Sequence, residues 1–495
     1  MARIRHLRLY QSLEIARPST PSADTSKGMH AAPSVTTKPN RMRAIASHPV
    51  VAQLSWIVGP FGFLQVVRLV TQIVLARLLA PEMFGLMLLV NTLRTGAELL
   101  SDIGIGQSVV RSQNGDDPVF LNVAFTVQVV RGLFLTALMA ALAYPMASLY
   151  DEPQLLIIML AVSPIFLISG LRSPALFIVQ RHIRLRARAK YDVVTVVFQC
   201  AFTIVLAWYL ENVWALVLGL VVSTAFSTLL SFFVARGYQP RLSWRKDHFL
   251  EIFHFGKWIF LGTALYFVAT SFDRLYFVAA LSLSLAGVYG IARTFSELLS
   301  ALAQRIGNQL VFPKVAALQD RRAELAPRLR KARAQALVSI AVLAGVGVAG
   351  SDAFILFAYD ARYHAAAIMI PILLIAVWFG MLSFFSESML LGCSRPIPGA
   401  IANGAKFIVL LVGLPLSIAA GDFMYALGII VVSEIARWLA IAPAARSEGF
   451  ARIRDDVLLT FLMLAVAIVA KTVLSWTEFV PSILEWWSFR GLLDE

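Results

Sequence analysis

The sequence predicts an all-α polytopic membrane protein of twelve to fourteen transmembrane helices, thirteen by count, most of them in two six-helix lobes. Three observations predict it. Of 495 residues, 59% are hydrophobic and only 15% charged, against roughly 25% charged in a soluble domain; mean hydropathy is +0.75. Apolar runs of about 20 residues, long enough to cross a hydrocarbon core, recur along the chain. A single fixed shift then brings Trp56 onto Trp258, Phe84-Gly85 onto Ala286-Gly287 and Val109 onto Val311.

Residues 1–50 are rich in Ser, Thr, Pro and Arg and lack a sustained apolar period. That composition predicts a disordered basic cytoplasmic tail. No apolar core of a signal peptide precedes residue 50, so a cleaved leader is not expected; Met29 and Met42 offer alternative starts. The spans are centred about residues 66, 94, 130, 162, 201, 223, 267, 297, 342, 378, 410, 433 and 467. They divide into an N-terminal lobe over 51–235, a cytoplasmic linker over 236–250, a C-terminal lobe over 251–445, and an extra helix with an interfacial segment over 446–495. Trp486 and Trp487 mark that last segment, about 483–493, as lying in the interface.

Loop charge orients the chain. Loops 172–191, 235–257 and 305–335 are strongly basic, the last carrying Arg321, Arg322, Arg328, Arg330, Lys331 and Arg333. The opposite loops hold Asp151, Glu152, Glu211, Asp352 and Asp422, with Arg362 nearly their only cation. The positive-inside rule therefore puts the N-terminus and the basic loops in the cytoplasm. The net charge of +14 has this topological reading and needs no nucleic acid. Two halves of six spans each run the same way through the membrane, which predicts a pseudo-twofold axis along its normal and a site between the halves.

Several charges stand where lipid would not tolerate them. The first helix, about 54–79, places Gln65, Arg68 and Gln72 on one face, and the second, about 83–105, places Asn91, Arg94, Glu98 and Ser101 on one face. A cation at mid-membrane costs about 2.5–3.5 kcal/mol on insertion scales, so such residues face protein or a wet cavity. The repeat pairs Thr71 with Asp273, Gln72 with Arg274, Asn91 with Arg293, and Thr95 with Glu297. The cavity cations are Arg68, Arg94, Arg131, Arg274 and Arg293. Their planar donor forks suit phosphate or diphosphate; the other reading is structural pairing, as of Arg94 with Glu98 one turn on. Arg77 lies on the opposite face near the helix end and is expected to snorkel. The acidic set is Glu98, Asp102, Asp273, Glu297, Glu387 and Glu434. Each is a coupling site for a proton or sodium ion, or a fixed counter-ion. Asp273 beside Arg274, and Glu434 before Arg437, suit the second role; Glu98 and Glu297, on the presumed cavity faces, suit the first.

Other chemistry is excluded or disfavoured. No GxxxxGK[ST] sequence occurs, so no P-loop of this chain hydrolyses ATP. Histidines form no HExxH-like cluster, and Cys200 and Cys393 have no metal-like spacing and are expected in or near spans. No cofactor is expected. The pairs Asp116-Asp117 and Asp455-Asp456 are expected on solvated faces. Outside loops are too short for the catalytic domain of a polysaccharide polymerase or ligase, so the chain is not expected to be an enzyme.

The stretches "ARLLAPEMFGL", "DIGIGQSVVR", "SFDRLYFVAALSLSLAGVYGIA" and "VFPKVAAL" resemble the polysaccharide flippase family of the MOP exporter superfamily, over about residues 51–446. The resemblance implies a V-shaped pair of lobes around a central cationic cavity. It implies transfer of an undecaprenyl-diphosphate-linked oligosaccharide across the bacterial inner membrane by ion-gradient-driven alternating access. It implies diphosphate contacts at Arg68, Arg94 and Arg293, and a family-polar position at Asp273. Membrane lipids, glycosyltransferases and a polysaccharide polymerase are the partners it suggests, for exopolysaccharide, capsule or O-antigen synthesis. A flippase for the peptidoglycan precursor is the close alternative; a multidrug antiporter, whose substrates are cationic, fits an arginine-lined cavity poorly. The thirteenth span departs from a twelve-span core.

Overall fold

The computed structural model describes residues 49–306 and 322–476, apart from 103, 113, 183, 235–237 and 394. The expected tail up to residue 48, the interfacial segment and "VFPKVAAL" lie outside the described residues. The chain divides into two compact units, Met1–Leu54 and Ser55–Glu495. Of the first, only helical backbone from Pro49 onward is described. The second consists, among its described residues, of helices and turns without strands.

Helices α1 (Pro49–Leu78) and α2 (Pro81–Leu100) form the first hairpin. Pro81 opens α2, where its missing N–H costs nothing because that position has no helical acceptor. Gly104 follows with φ 64°, a conformation open to glycine at no steric cost, and its N–H donates to Asp102 Oδ1 at 2.9 Å. That turn starts the short α3 (Ile105–Arg111). Asp117 then caps α4 (Pro118–Leu149), accepting from the Val119 N–H at 3.0 Å.

The span expected about residue 162 is broken at Pro164 into α5 (Pro153–Val162) and α6 (Pro164–Gly170). Proline removes a helical donor, and the freed groups need new partners in an apolar setting. Thr136 of α4 supplies them: its hydroxyl donates to the Ser163 carbonyl at 3.1 Å and accepts from Leu167 N–H at 3.2 Å. The short α7 (Ala175–Arg181) leads to the hairpin of α8 (Leu185–Leu210) and α9 (Trp214–Val234).

The linker is strapped to the start of α4. Tyr238 Oη and the Arg241 N–H both donate to Asn122 Oδ1, at 2.8 and 2.9 Å, and the Ser243 N–H donates to Thr126 Oγ1 at 2.8 Å. The second half comprises α10 (Lys246–Ala280), α11 (Leu283–Ile306), α12 (Arg322–Ala358), α13 (Ala366–Gly392), α14 (Ile397–Ala419), α15 (Phe423–Ser447) and α16 (Ile453–Ser475). Each of the thirteen stretches expected to span is helical. Among the described residues, eleven helices are long and apolar enough to cross a membrane; α10 and α11 are not among the eleven. Helix α13 is buried along most of its length and anchors the core against α11, α12 and α15. The apolar side chains left outside, such as Phe134, Trp208, Phe233 and Phe461, form the surface expected to meet lipid.

Three sequence expectations are corrected here. Arg333, expected in a loop, lies within α12, and Asp456, expected on a solvated face, is buried at the start of α16. They form a two-pronged ion pair, Nη1–Oδ1 2.5 Å and Nη2–Oδ2 3.0 Å, and Trp438 Nε1 donates to the same carboxylate at 3.1 Å. Asp352, expected in an outside loop, lies in α12 and pairs with Lys471 of α16. The extra helix is thus riveted to α12 by buried charge at both ends while its other face stays exposed.

Candidate functional site

The two halves meet where α2 packs on α10 and α11. At one end of that seam the backbones touch. A Cβ on Gly85 would collide with the Leu283 carbonyl, and one on Gly287 with the Pro81 carbonyl. These pairs are related by the same shift that defines the sequence repeat. Beside them Tyr363 Oη donates to the Leu79 carbonyl at 2.8 Å, and Arg77, expected to snorkel, donates to the Ala358 carbonyl at 3.3 Å. This is the end that loop charge assigns to the outside. Gly287→Leu is expected to wedge it open: in a background lacking Cys200 and Cys393, a cysteine at Phe84 should become reactive to a membrane-impermeant maleimide. Unchanged labelling would mean the crossing does not close the cavity.

Below the seam lies a cavity of about 550 Å³. Its walls come from α1 (Gln65, Arg68, Thr71, Gln72), α2 (Asn91, Thr95), α8 (Gln199, Thr203), α10 (Arg274) and α11 (Arg293, Glu297). A second compartment of about 330 Å³ continues into the C-terminal half and shares Thr95, Arg274, Arg293, Glu297 and Ala301 with the first. It adds Lys406, Glu434 and Arg437. Across both, Arg68, Arg274, Arg293, Lys406 and Arg437 face only Glu297 and Glu434, so the lining is cationic. The repeat pairs Gln72 with Arg274, Asn91 with Arg293 and Thr95 with Glu297, and all six line the first compartment. One half contributes uncharged polar groups and the other their charged counterparts.

The charges are unequally engaged. Arg293 is buried, 3.2 Å from Glu297 Oε1 and 3.6 Å from Asp273 Oδ2 through Nε. Glu297 also pairs with Arg274, and buried Asp273 accepts the Tyr289 hydroxyl. Arg68 has no ion-pair or hydrogen-bond partner among the described residues and projects into the first compartment. Arg94, Glu98 and Arg131 line neither compartment. Arg94 Nη1 pairs with Glu98 Oε1 at 2.7 Å, while Arg131 donates to the Glu98 carbonyl at 2.5 Å and to Ser101 Oγ at 3.0 Å. The pairing alternative describes these residues better than ligand contact does.

Sequence reasoning does not single out Lys406. The Pro396-Ile397-Pro398 start of α14 was the available signal, since prolines favour a helix's first turn and carry Lys406 well inside. There Nζ meets Glu434 Oε1 at 2.5 Å. Arg437 Nη2 meets Glu387 Oε2 at 2.8 Å, which makes Glu387 a counter-ion.

A long helical bundle with charges gathered about an internal seam is the architecture of a multi-pass membrane protein, and solved structures share the fold. The structure titled "Lipid II flippase MurJ, inward closed conformation" superposes with TM-score 0.67 at 11% identity, over 88% of this chain and 96% of that one. An inward-facing multidrug resistance MATE family transporter of the MOP superfamily gives 0.57 at 14%, over 80% and 95%. The family described as "Polysaccharide biosynthesis protein" matches residues 74–368, more than half of the chain, and the protein belongs to that family. Its relatives include the lipopolysaccharide biosynthesis protein WzxC of Escherichia coli (strain K12), 22% identical over 51% of each chain. The amylovoran biosynthesis protein AmsL of Erwinia amylovora is 25% identical over 52% of this chain and 66% of its own. The match thus spans about half the length of the first of these relatives.

Proposed function

We propose that the protein is a flippase that carries an undecaprenyl-diphosphate-linked oligosaccharide from the cytoplasmic to the outer leaflet of a bacterial inner membrane, for exopolysaccharide, capsule or O-antigen synthesis. The observation that carries this reading is Arg68, an exposed guanidinium with no partner among the described residues, which lines the first compartment together with Arg274 and Arg293. An uncompensated intramembrane cation is costly unless a ligand completes it, and a diphosphate's oxygens match its donor fork. The net positive lining disfavours cationic drugs. Relatives named for lipopolysaccharide and amylovoran biosynthesis support a saccharide substrate.

In this reading the halves 51–235 and 251–445 are lobes about a pseudo-twofold axis, which the reciprocal Gly85 and Gly287 contacts support, since residue i meeting j while j′ meets i′ is what a twofold produces. The N-terminus is cytoplasmic, and the closed seam makes this the state open to the cytoplasm. Opening the seam while the inner ends close delivers the head group outside. Glu297, which bridges Arg274 and Arg293 and lines both compartments, is the coupling carboxylate. Protonating it releases both arginines to the diphosphate, and reionisation competes the ligand off. Asp273, enclosed by Tyr289 and Arg293, holds Arg293 in place.

Reconstitution into liposomes tests both claims. The protein should speed translocation of undecaprenyl-diphosphate-linked saccharide, faster with a proton gradient imposed. Glu297→Gln should transport without responding to the gradient. Absence of translocation by the wild type would overturn the reading, and an unaltered gradient response in Glu297→Gln would remove Glu297 from coupling.

A further inference from the structure

We propose that the second compartment is a glycan subsite, which takes the sugar joined directly to the diphosphate through hydroxyl hydrogen bonds to Glu434, Arg437 and Arg293. The proposal rests on the flippase reading and specifies its substrate recognition. The compartment abuts the first across Arg274, Arg293 and Glu297, so a group one bond beyond a diphosphate on the first compartment's arginines enters it. At about 330 Å³ it lies near the lower end of small-ligand sites, roughly 300–1,000 Å³.

Its chemistry is mixed. Lys406, Glu434 and Arg437 are each less than a tenth exposed. Around them Asp273, Glu297, Glu387 and Glu434 balance Arg274, Arg293, Lys406 and Arg437, so this cluster is neutral. The first compartment, counted the same way, sets Arg68, Arg274 and Arg293 against Asp273 and Glu297 and keeps a positive charge. Yet pairing leaves polar atoms unspent. Glu434 Oε2, 3.7 Å from Arg437 Nη1, Arg293 Nε, 3.2 Å from Glu297 Oε1, and the Nε groups of Arg274 and Arg437 are buried and make no hydrogen bond among the described residues. Native interiors rarely leave such atoms unsatisfied, and each costs about 1–3 kcal/mol unless a ligand or water completes it.

An acceptor and several donors in one set of walls suit neither a bare anion, which Glu434 and Glu297 repel, nor a bare cation, which the arginines repel. A hydroxyl donates to a carboxylate and accepts from a guanidinium at once, and a sugar presents several. Tyr266, Thr270, Ser271, Ser300 and Gln304 add neutral polar groups to the wall. Gly380 keeps it open: a Cβ there would lie 3.2 Å from Glu434 Oε2, the acceptor that makes no hydrogen bond among the described residues.

The test measures binding to the full chain in lipid nanodiscs. The probes are undecaprenyl diphosphate and the same lipid carrying one glucose, galactose, N-acetylglucosamine or N-acetylgalactosamine. At least one sugar-bearing lipid should bind about tenfold tighter than the bare lipid, the increment of one or two hydrogen bonds to charged groups. Because Glu434→Gln breaks a buried pair and risks misfolding, the informative variants are Tyr266→Phe and Gly380→Ala. Together they should erase the sugar increment and leave bare-lipid affinity unchanged. Arg68→Ala should weaken both lipids alike. Equal affinity of the wild type for bare and sugar-bearing lipids, or an increment that survives the double variant, overturns the subsite. Failure of the wild type to bind even the bare lipid overturns the flippase reading itself, and the subsite with it.

Discussion

Arg68→Ala is expected to abolish surface polysaccharide in cells that depend on this protein, with its abundance in the membrane unchanged. Arg68 makes no ion pair or hydrogen bond among the described residues, so its removal leaves no buried partner uncompensated. The fold therefore has nothing to lose, and the ligand loses a guanidinium worth about 1.5–3 kcal/mol, roughly ten- to a hundredfold in transport rate. Arg68→Lys should restore part of the loss, since it keeps the charge and gives up the fork. Arg94→Ala should cost far less. Its half-exposed pair with Glu98, one turn away on the same helix, is of the kind worth about 0.3–0.5 kcal/mol. Polysaccharide output and immunoblots of membranes check both. Normal output from Arg68→Ala, or equal loss from the two variants, would dislodge Arg68 from the site.

The second large effect is on stability. Asp456→Ala should lower the thermal midpoint of the purified protein steeply, because it strands the Arg333 guanidinium inside the bundle and takes the acceptor from Trp438. Breaking a buried pair from one side costs about 3–5 kcal/mol. The double replacement Arg333→Met with Asp456→Leu should recover most of that, since an apolar pair of similar volume carries no unmatched charge. A midpoint unmoved by Asp456→Ala would show that the pair does not hold α16 to α12. A double variant as unstable as the single one would instead assign the loss to the Trp438 hydrogen bond.

Much of the architecture was legible in the chain, because a membrane imposes a simple rule. Every backbone group must be satisfied within its own segment, so apolar runs of sufficient length become helices. Each stretch expected to span is helical for that reason, and the family match covers residues 74–368. The repeat remains a reading of the sequence, and two contacts are consistent with it. Gly85 and Gly287, paired by the shift, lie in mutual contact, and the polar positions it pairs line one cavity.

Helix periodicity fixes which residues share a face; it does not say which neighbour that face meets. Arg68, Arg274, Arg293 and Glu297 line the cavity, while Arg94, Glu98 and Arg131 follow the same spacing into a cluster of their own. Asp456 looked like half of a solvated pair until α12 brought Arg333 to it from 123 residues away. Lys406 stands out in no local pattern, and the start of α14 draws it into the bundle beside Glu434. The sequence alone thus determined the membrane class and the helices. Only the tertiary structure decided which charges are spent on one another and which remain for a ligand. Pairing between helices depends on their packing angles and offsets, and no local pattern along a single helix encodes those.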